Sequence, residues 1–377
     1  MGRRQRLIST SILRAIFRTS SKKDKPSLLT RIFTFFSIFQ LALSRYRETV
    51  FRKLRNEIWG IEEEEYTESF RSPSGGKRTD LKAIGDLGYS GSTFFTTPNS
   101  AYLLKSLPRA FEQSFFRTRL LDPYVSHMST HPLSLLVRIT DLLYTPYPTL
   151  GALLGTAASH HIIMENILYG QTSLPKSAQD SWETYDLKPS SYFFPERDVA
   201  GGRLAPESVK ERLIDEFPDK IRVTDDEKED LVSQLLIDTN LLYEANAVDY
   251  SLFLVRYPAS LQDQHSSIPV PQGKTSPWRS GISSRDGKWI YRAVLLDFFW
   301  AKDAFQAQAM TGLVKTFNFL KWGRDHGPMS ITTTSEEYRS RFMKMVDEMV
   351  EVTDSAGRPA GELRIPASGS QERLIDV

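Results

Sequence analysis

Gly88-Tyr89-Ser90-Gly91-Ser92-Thr93-Phe94-Phe95, followed by Tyr102-Leu103-Leu104-Lys105-Ser106-Leu107, decides the architecture of this chain. A small-residue turn feeds an aromatic strand, and an apolar strand follows, so the two read as a β-hairpin. Glycine at such a turn removes the Cβ obstacle and lets backbone N–H groups approach an anion. Gly88, Ser90, Gly91 and Ser92 are therefore candidate anion contacts, although most turns of this kind only join strands. Lys105 stands inside the second apolar run, where a lysine either snorkels out or meets an anion. A helix is expected next, from about Arg109 to Met128, with Glu112 near its start.

The bulk numbers bound the rest. A chain of 377 residues is long enough for a large core and two lobes. With 40% hydrophobic and 25% charged residues it has globular composition. A net charge of +2 gives no global field toward nucleic acid, so no such partner is expected. Cysteine is absent, which excludes a disulfide framework and a thiolate metal site. The histidines lack zinc-like spacing, and His160-His161 reads as packing or a turn. Charge is concentrated at the N-terminus, where Arg3, Arg4, Arg6, Arg14, Arg18, Lys22, Lys23, Lys25 and Arg31 are opposed only by Asp24. Leu7, Ile8, Ile12, Leu13, Ile16 and Phe17 recur among them at helical spacing. Residues 1–32 are accordingly expected to be a basic amphipathic or disordered arm, either a membrane-surface segment or a mitochondrial transit peptide. The run Phe33–Leu43 is too short to span a bilayer, which needs ~20 apolar residues.

Further along, Ser27–Ile61 reads as helical, and Leu135–Tyr144 and His161–Leu168 as strands. Tyr169–Pro206 is polar and rich in Pro and Gly. A helix fits Asp225–Asn246, with Leu231, Leu235, Leu236, Leu241 and Leu242 on one face. Ser260–Gly287 reads as a loop too polar to pack, Ile290–Phe299 as a strand, and Ser335–Val352 as a last helix. Residues 353–377 are expected to be a disordered tail. Two isolated acids interrupt apolar runs: Asp249 in Ala247–Phe253 and Asp297 in Val294–Phe299. Such carboxylates are costly unless something pairs with them or uses them. Taken alone, Asp249 reads equally as a satisfied buried acid or a helix cap. A strand lysine paired with a helix glutamate under a glycine turn, however, is the phosphate clamp of kinase-like enzymes. The acids follow in the order such an enzyme needs, the one orienting the acceptor hydroxyl first and the metal ligand second. Neither His-Arg-Asp nor Asp-Phe-Gly occurs, which argues against an ordinary protein kinase.

These motifs together resemble the catalytic domain of the phosphatidylinositol phosphate kinases. Gly88–Phe95 is similar to that family's Gly-x-Ser-Gly-Ser-x-Phe loop, and Tyr102–Lys105 to the strand carrying its ATP-binding lysine. Ile163-Met164-Glu165-Asn166-Ile167-Leu168 resembles its adenine-holding Val-Met-Asn-Asn-Leu strand. Tyr185-Asp186-Leu187-Lys188-Pro189-Ser190 resembles Tyr-Asp-Leu-Lys-Gly-Ser. Val248–Leu252 resembles Met-Asp-Tyr-Ser-Leu, Leu295–Asp297 resembles Ile-Ile-Asp, and Glu337–Phe342 its closing Tyr-x-x-Arg-Phe helix. The likeness covers roughly Leu54 to Val352.

The resemblance implies an α+β, two-lobed kinase-like fold over residues 33–352, with an antiparallel N-lobe sheet (about 45–168) and a mixed C-lobe (about 169–352). It implies ATP and Mg²⁺ between the lobes and a phosphoinositide lipid substrate at an anionic membrane surface. Lys105 would bind the ATP phosphates and pair with Glu112. Asp249 would be the catalytic aspartate, Asp297 the Mg²⁺ ligand, and Asp186 and Lys188 contacts to transferred or acceptor phosphate. Met164, Glu165 and Asn166 would line the adenine. The expected location is cytoplasmic and peripheral at the plasma membrane, with a mitochondrial address as the alternative; a homodimer is an open expectation. The chain departs from the family pattern in three places. Pro189 replaces a glycine, Glu165 replaces an asparagine, and Phe298–Ala307 lacks the consecutive lysines that usually follow the metal acid. Phe298, Phe299 and Trp300 there read either as core or as membrane-inserting. A catalytically impaired phosphoinositide-binding or scaffold protein of the same fold is the second reading.

Overall fold

The computed structural model describes residues 2–18, 35–36, 38–72, 80–86, 92–147, 149–154, 156–189, 217–264, 268–301 and 334–353. It is an α+β fold of two lobes. The first helix, α1 (Arg3–Ile16), precedes β1 (Ser44–Arg45). Helix α2 (Glu48–Lys53) runs on through a π-helical turn, Leu54–Trp59, and α3 (Glu63–Glu68) follows. Strands β2 (Lys82–Asp86), β3 (Thr93–Thr96) and β4 (Tyr102–Leu107) lead into α4 (Ala110–Phe115), a π-helical turn (Phe116–Leu120) and α5 (Leu121–Thr130). Strands β5 (Ile139–Tyr144) and β6 (His160–Glu165) complete an antiparallel six-stranded sheet in the order β1-β5-β6-β4-β3-β2. The expected hairpin is present as β3 and β4, with Phe94 opposite Lys105.

The second lobe is built on a four-stranded antiparallel sheet in the order β11-β12-β10-β7. Its strands are β7 (Glu183–Leu187), β10 (Ser251–Pro258), β11 (Ile282–Ser283) and β12 (Trp289–Leu296). Two small pairs flank it, antiparallel β9 (Ala247–Val248) with β13 (Trp300–Ala301), and parallel β8 (Ile221–Val223) with β14 (Val350–Val352). Helix α6 (Asp225–Glu244) starts with a capping box, Thr224 bonding the Glu227 N–H while Glu227 bonds back. It packs against the last helix, which starts at Ser335 and ends at Met349, where the chain turns into β14. Among the described residues no helix is long and apolar enough to cross a membrane.

Several local expectations need correction. The face of α6 buries Leu231, Leu235, Leu241 and Leu242, but Leu236 is exposed. Strand β7 lies inside the stretch expected to be merely polar, because Glu183, Thr184 and Asp186 mask its alternation. The stretch expected to be too polar to pack is in part buried: Ile268, Ser276, Trp278, Arg279 and Ile282 all lie inside. Residues 268–276 form a strap from the second lobe onto the first. The Lys274 N–H donates to the Trp59 carbonyl at 2.6 Å. Gly273, at φ 79°, brings the strap so close that a Cβ there would stand 2.2 Å from that carbonyl oxygen. The helix α7 (Pro277–Ser280) follows the strap. Phe298 and Phe299 are buried, so they pack in the core.

Helix α1 buries Ile8, Ile12, Leu13, Ala15 and Ile16 against the first lobe. Its Ser9 and Ser11 hydroxyls accept the Leu81 and Leu41 N–H groups, each at 3.0 Å. The expectation of an arm for residues 1–32 therefore divides: residues 2–18 carry a docked helix, and 19–32 lie outside the described residues, as do residues 354–377 of the expected tail.

Behind β1 and β5, Asp141 is fully buried and accepts from Arg45 (2.7 and 3.1 Å), Arg55 (3.3 Å) and the Tyr66 hydroxyl (3.0 Å). Arg55 is equally buried and also bonds Glu63 at 2.6 Å. Removing one charge from such a cluster strands the others. Asp141→Asn is therefore expected to destabilise the chain by about 3 kcal/mol. A denaturant midpoint equal to that of the parent chain would contradict this.

Candidate functional site

The hydrogen-bond register of the second sheet gathers the site. Ser251 opens β10 opposite Leu296, the last residue of β12, while Leu252 faces Leu187, the last residue of β7. Asp249, Asp297 and Lys188 therefore emerge at one end of the sheet, each just beyond a strand. Trp300 then pairs with Val248, which ties the segments carrying both acids to each other. Asp249 and Asp297 both adopt left-handed backbone, at φ 66° and φ 60°. This region is sparsely used by residues other than Gly, but Asp and Asn enter it more easily than most.

Cations complete the cluster. Lys188 Nζ donates to Asp249 Oδ1 at 2.8 Å, with both side chains largely buried. Lys105, in the centre of β4, bonds Asp297 Oδ1 and lies 5.8 Å from the centroids of the Phe94 and Phe299 rings. The expected pairing of Lys105 with Glu112 is not the one seen. Glu112 instead accepts from Arg109 at 3.2 Å and from the Trp300 indole at 3.1 Å, and Trp300 itself lies under the Arg109 guanidinium. Lys105 is free to reach Asp297 because the β12–β10 register brings that acid up to β4.

The protonation equilibria reflect this crowding. Burial works against a charged Lys188, but Asp249, Asp186 and Asp297 together outweigh it and raise its pKa. Asp297 is only half-buried, its side chain 42% exposed, and the desolvation it does suffer is overcome by Lys105 and Lys188, so its carboxyl is held below the usual range. Asp186, on β7 opposite Phe253, is pushed up by burial and by its two acidic neighbours, against the pull of Lys188 and Ser251. Burial also raises Glu112, despite Arg109 and Lys105. Two cations and three carboxylates thus form one electrostatic unit. Among the described residues no cluster of three or more His, Asp or Glu could hold a metal by itself. Asp297 with Asp186 nonetheless offers the hard oxygens that Mg²⁺ takes together with substrate phosphates.

The remaining sequence candidates are placed as follows. Met164 is buried in the main core. The Asn166 amide donates to the Ser100 carbonyl at 2.7 Å and accepts the Leu168 N–H at 3.1 Å, so it holds the chain after β6 in shape. The Glu165 carboxylate is buried and bonds Arg279 and the Arg138 N–H, turned toward the strap. Ser92 is buried at the start of β3; Gly88, Ser90 and Gly91 lie outside the described residues. Residues 302–307 of the lysine-poor segment lie outside them too, as do Lys315 and Lys321. Arg109 and Arg279 were not singled out in the sequence, and Trp300 only as a core or membrane-inserting aromatic. Arg279 carried no signal, since its partners come from distant segments.

Residues 76–277 match the family model described as phosphatidylinositol-4-phosphate 5-kinase. That span includes Lys105, Glu112, Asp186, Lys188 and Asp249, while Asp297 lies beyond it. The chain is similar to a phosphatidylinositol 4-phosphate 5-kinase of Plasmodium falciparum (isolate 3D7), at 27% identity over 228 residues, covering 56% of this chain and 12% of that protein. It is also similar to a probable phosphatidylinositol phosphate kinase of Dictyostelium discoideum, at 26% identity over 216 residues, covering 56% of this chain and 27% of that one. The match thus spans only 12% and 27% of the length of these curated relatives.

Proposed function

Because this chain belongs to the phosphatidylinositol-4-phosphate 5-kinase family, we propose that it transfers the γ-phosphate of ATP to a hydroxyl of a phosphatidylinositol phosphate head group. The observation that carries this reading is the meeting of Lys105, Lys188, Asp249 and Asp297 at one end of the second sheet. Lys105 exchanges its Asp297 partner for the nucleotide phosphates. Asp249 accepts the hydrogen bond of the acceptor hydroxyl and aligns its oxygen with the γ-phosphorus. As the new O–P bond forms and the bond to the β-phosphate oxygen breaks, the hydroxyl proton passes to Asp249 and ADP leaves. Lys188 neutralises charge on the group in transit. Asp297, with Asp186 close enough to act on its charge, would hold Mg²⁺, which would supply further charge neutralisation on the phosphates.

The test is the full chain with γ-labelled ATP, Mg²⁺ and vesicles of each mono-phosphorylated phosphoinositide. A labelled, doubly phosphorylated lipid is expected. MgATP binding with no labelled lipid from any substrate would favour the second reading, a phosphoinositide-binding scaffold. Pro189 motivates that reading, since it fixes φ and removes a donor beside Lys188.

The anionic membrane surface enters through α1. Arg3, Arg4, Arg6 and Arg14 are exposed on it and Arg18 follows, with no acid among residues 1–18. Most of its apolar face is spent on the first lobe, so the exposed side is dominated by the arginines, with Phe17 beside them. A docked basic face of this kind suits the anionic cytoplasmic leaflet, where each basic residue contributes ~1 kcal/mol. We therefore place the chain peripherally at the plasma membrane. The competing mitochondrial address is distinguished by imaging the tagged chain, and a homodimer by sedimentation velocity. Deleting residues 1–32 would remove core side chains, so the informative variant is the triple change of Arg3, Arg4 and Arg6 to Gln. It is expected to weaken binding to phosphatidylserine vesicles on the order of a hundredfold. Unchanged co-sedimentation would remove α1 as the anchor.

A further inference from the structure

One buried guanidinium sits where the two lobes meet, and the phosphate chemistry leaves it unused. Arg279 lies on α7, directly after the strap, and is 1% exposed. Its Nη1 bonds the Glu165 carboxylate, and its Nη2 donates to the Ser134 and Leu136 carbonyls, the latter at 3.1 Å. These carbonyls bracket a segment locked to β12. The Leu295 N–H donates to the Leu135 carbonyl at 2.7 Å, and the Val137 N–H to the Leu295 carbonyl at 2.9 Å. Asp297 is two residues further on. Glu165 closes β6, and its carboxylate also accepts the Arg138 N–H at 2.8 Å. One side chain therefore touches both the end of β6 and the segment that registers the metal acid.

The surroundings restrict movement of that link. Arg138 donates to the strap carbonyls of Gln272, at 3.0 Å, and Lys274. The Tyr102 hydroxyl on β4 bonds the Gln272 side chain. A buried ion pair has few alternatives once formed, because breaking it strands a charge. The planar guanidinium fork fixes several acceptors at once, which a lysine cannot do.

We propose that Arg279 and Glu165 are positioning residues for the nucleotide: they set the separation between the β6 strand end, where adenine would lie, and Asp297, where the phosphates would lie. The identity of the ligand rests on the phosphotransfer reading, whereas the clamp rests on the contacts alone. Glu165 acts through its guanidinium partner and not by touching the base. This accounts for an acid where the resembling family has asparagine. A misplacement of about 1 Å between base and phosphates can cost on the order of a hundredfold in rate, so the clamp is expected to matter for nucleotide use more than for folding.

The experiment compares the full chain with Glu165→Gln, Arg279→Lys and the double variant, measuring MgATP binding, kcat and KM, and amide exchange by residue. Each single change is expected to raise the KM for ATP on the order of tenfold, with the double no worse than the poorer single, as coupled partners behave. Exchange at the Glu165, Asn166 and Leu168 amides should accelerate while that of α6 does not. Tyr102→Phe removes only the hydroxyl contact to the strap and serves if Arg279→Lys fails to fold; it should move the same amides in the same direction. Unchanged exchange at those amides in folded variants, or equal acceleration everywhere, overturns the clamp. A wild-type chain that does not bind MgATP overturns the kinase reading instead, and the exchange comparison still decides the clamp.

Discussion

Asp249→Asn is expected to lower phosphate transfer by a factor on the order of 10³, within the range that general acid–base groups contribute, while the chain keeps its fold and its MgATP affinity. The substitution is unusually clean here. Asp249 sits at φ 66°, and asparagine tolerates that region at least as well as aspartate, so the backbone is not forced. The Asn Oδ1 still accepts from Lys188, which now bonds that oxygen at 2.8 Å. What disappears is the negative charge that, in the proposed mechanism, receives the acceptor proton. Single-turnover rates with saturating lipid and MgATP measure the step directly. A rate within tenfold of wild type would show that Asp249 is a structural acid.

The second large effect falls on Asp297. Asp297→Asn removes one carboxylate from the candidate Mg²⁺ site and the charge that bonds Lys105. A loss on the order of 10³ in kcat is expected, from several kcal/mol of metal-assisted charge stabilisation, with no recovery at high Mg²⁺. The pH dependence has a definite sign. Because Lys105 and Lys188 overcome burial and depress the Asp297 pKa, the stability from this ion pair is fully present above the unfolded value of about 3.9. It is lost as pH falls through the lower folded value. Acid titration of stability should therefore show wild type losing more than Asp297→Asn below about pH 4. Parallel curves for the two chains would mean that the carboxylate is not paired in solution.

Much of this site was legible because its parts sit inside or at the very ends of regular strands. Lys105 interrupts an apolar strand, and Asp249 and Asp297 interrupt apolar runs, so the cost of an unexplained charge points at each. The same reasoning fails where partners are carbonyls. Arg279 binds the main-chain oxygens of Ser134 and Leu136, and Arg138 those of the strap residues Gln272 and Lys274. Main-chain acceptors exist in every residue, so no side-chain pattern reveals them. The Lys105–Glu112 pairing was expected from order along the chain. Order cannot rank two acids that the register brings near one lysine, and Asp297 took the bond. Helix α1 shows a related limit: its amphipathic spacing was visible, but spacing alone does not say whether the apolar face meets lipid or protein.

The left-handed backbone at Asp249 and Asp297 also has a genetic consequence. Aspartate and asparagine codons differ by a single G-to-A transition, and at these two positions the main chain accepts either residue. On the proposed mechanism, each acid is thus one mutational step from a chain that folds and no longer reacts. Gene duplicates in this lineage that lost transfer but kept their shape should carry Asn at one of these two positions more often than any other replacement.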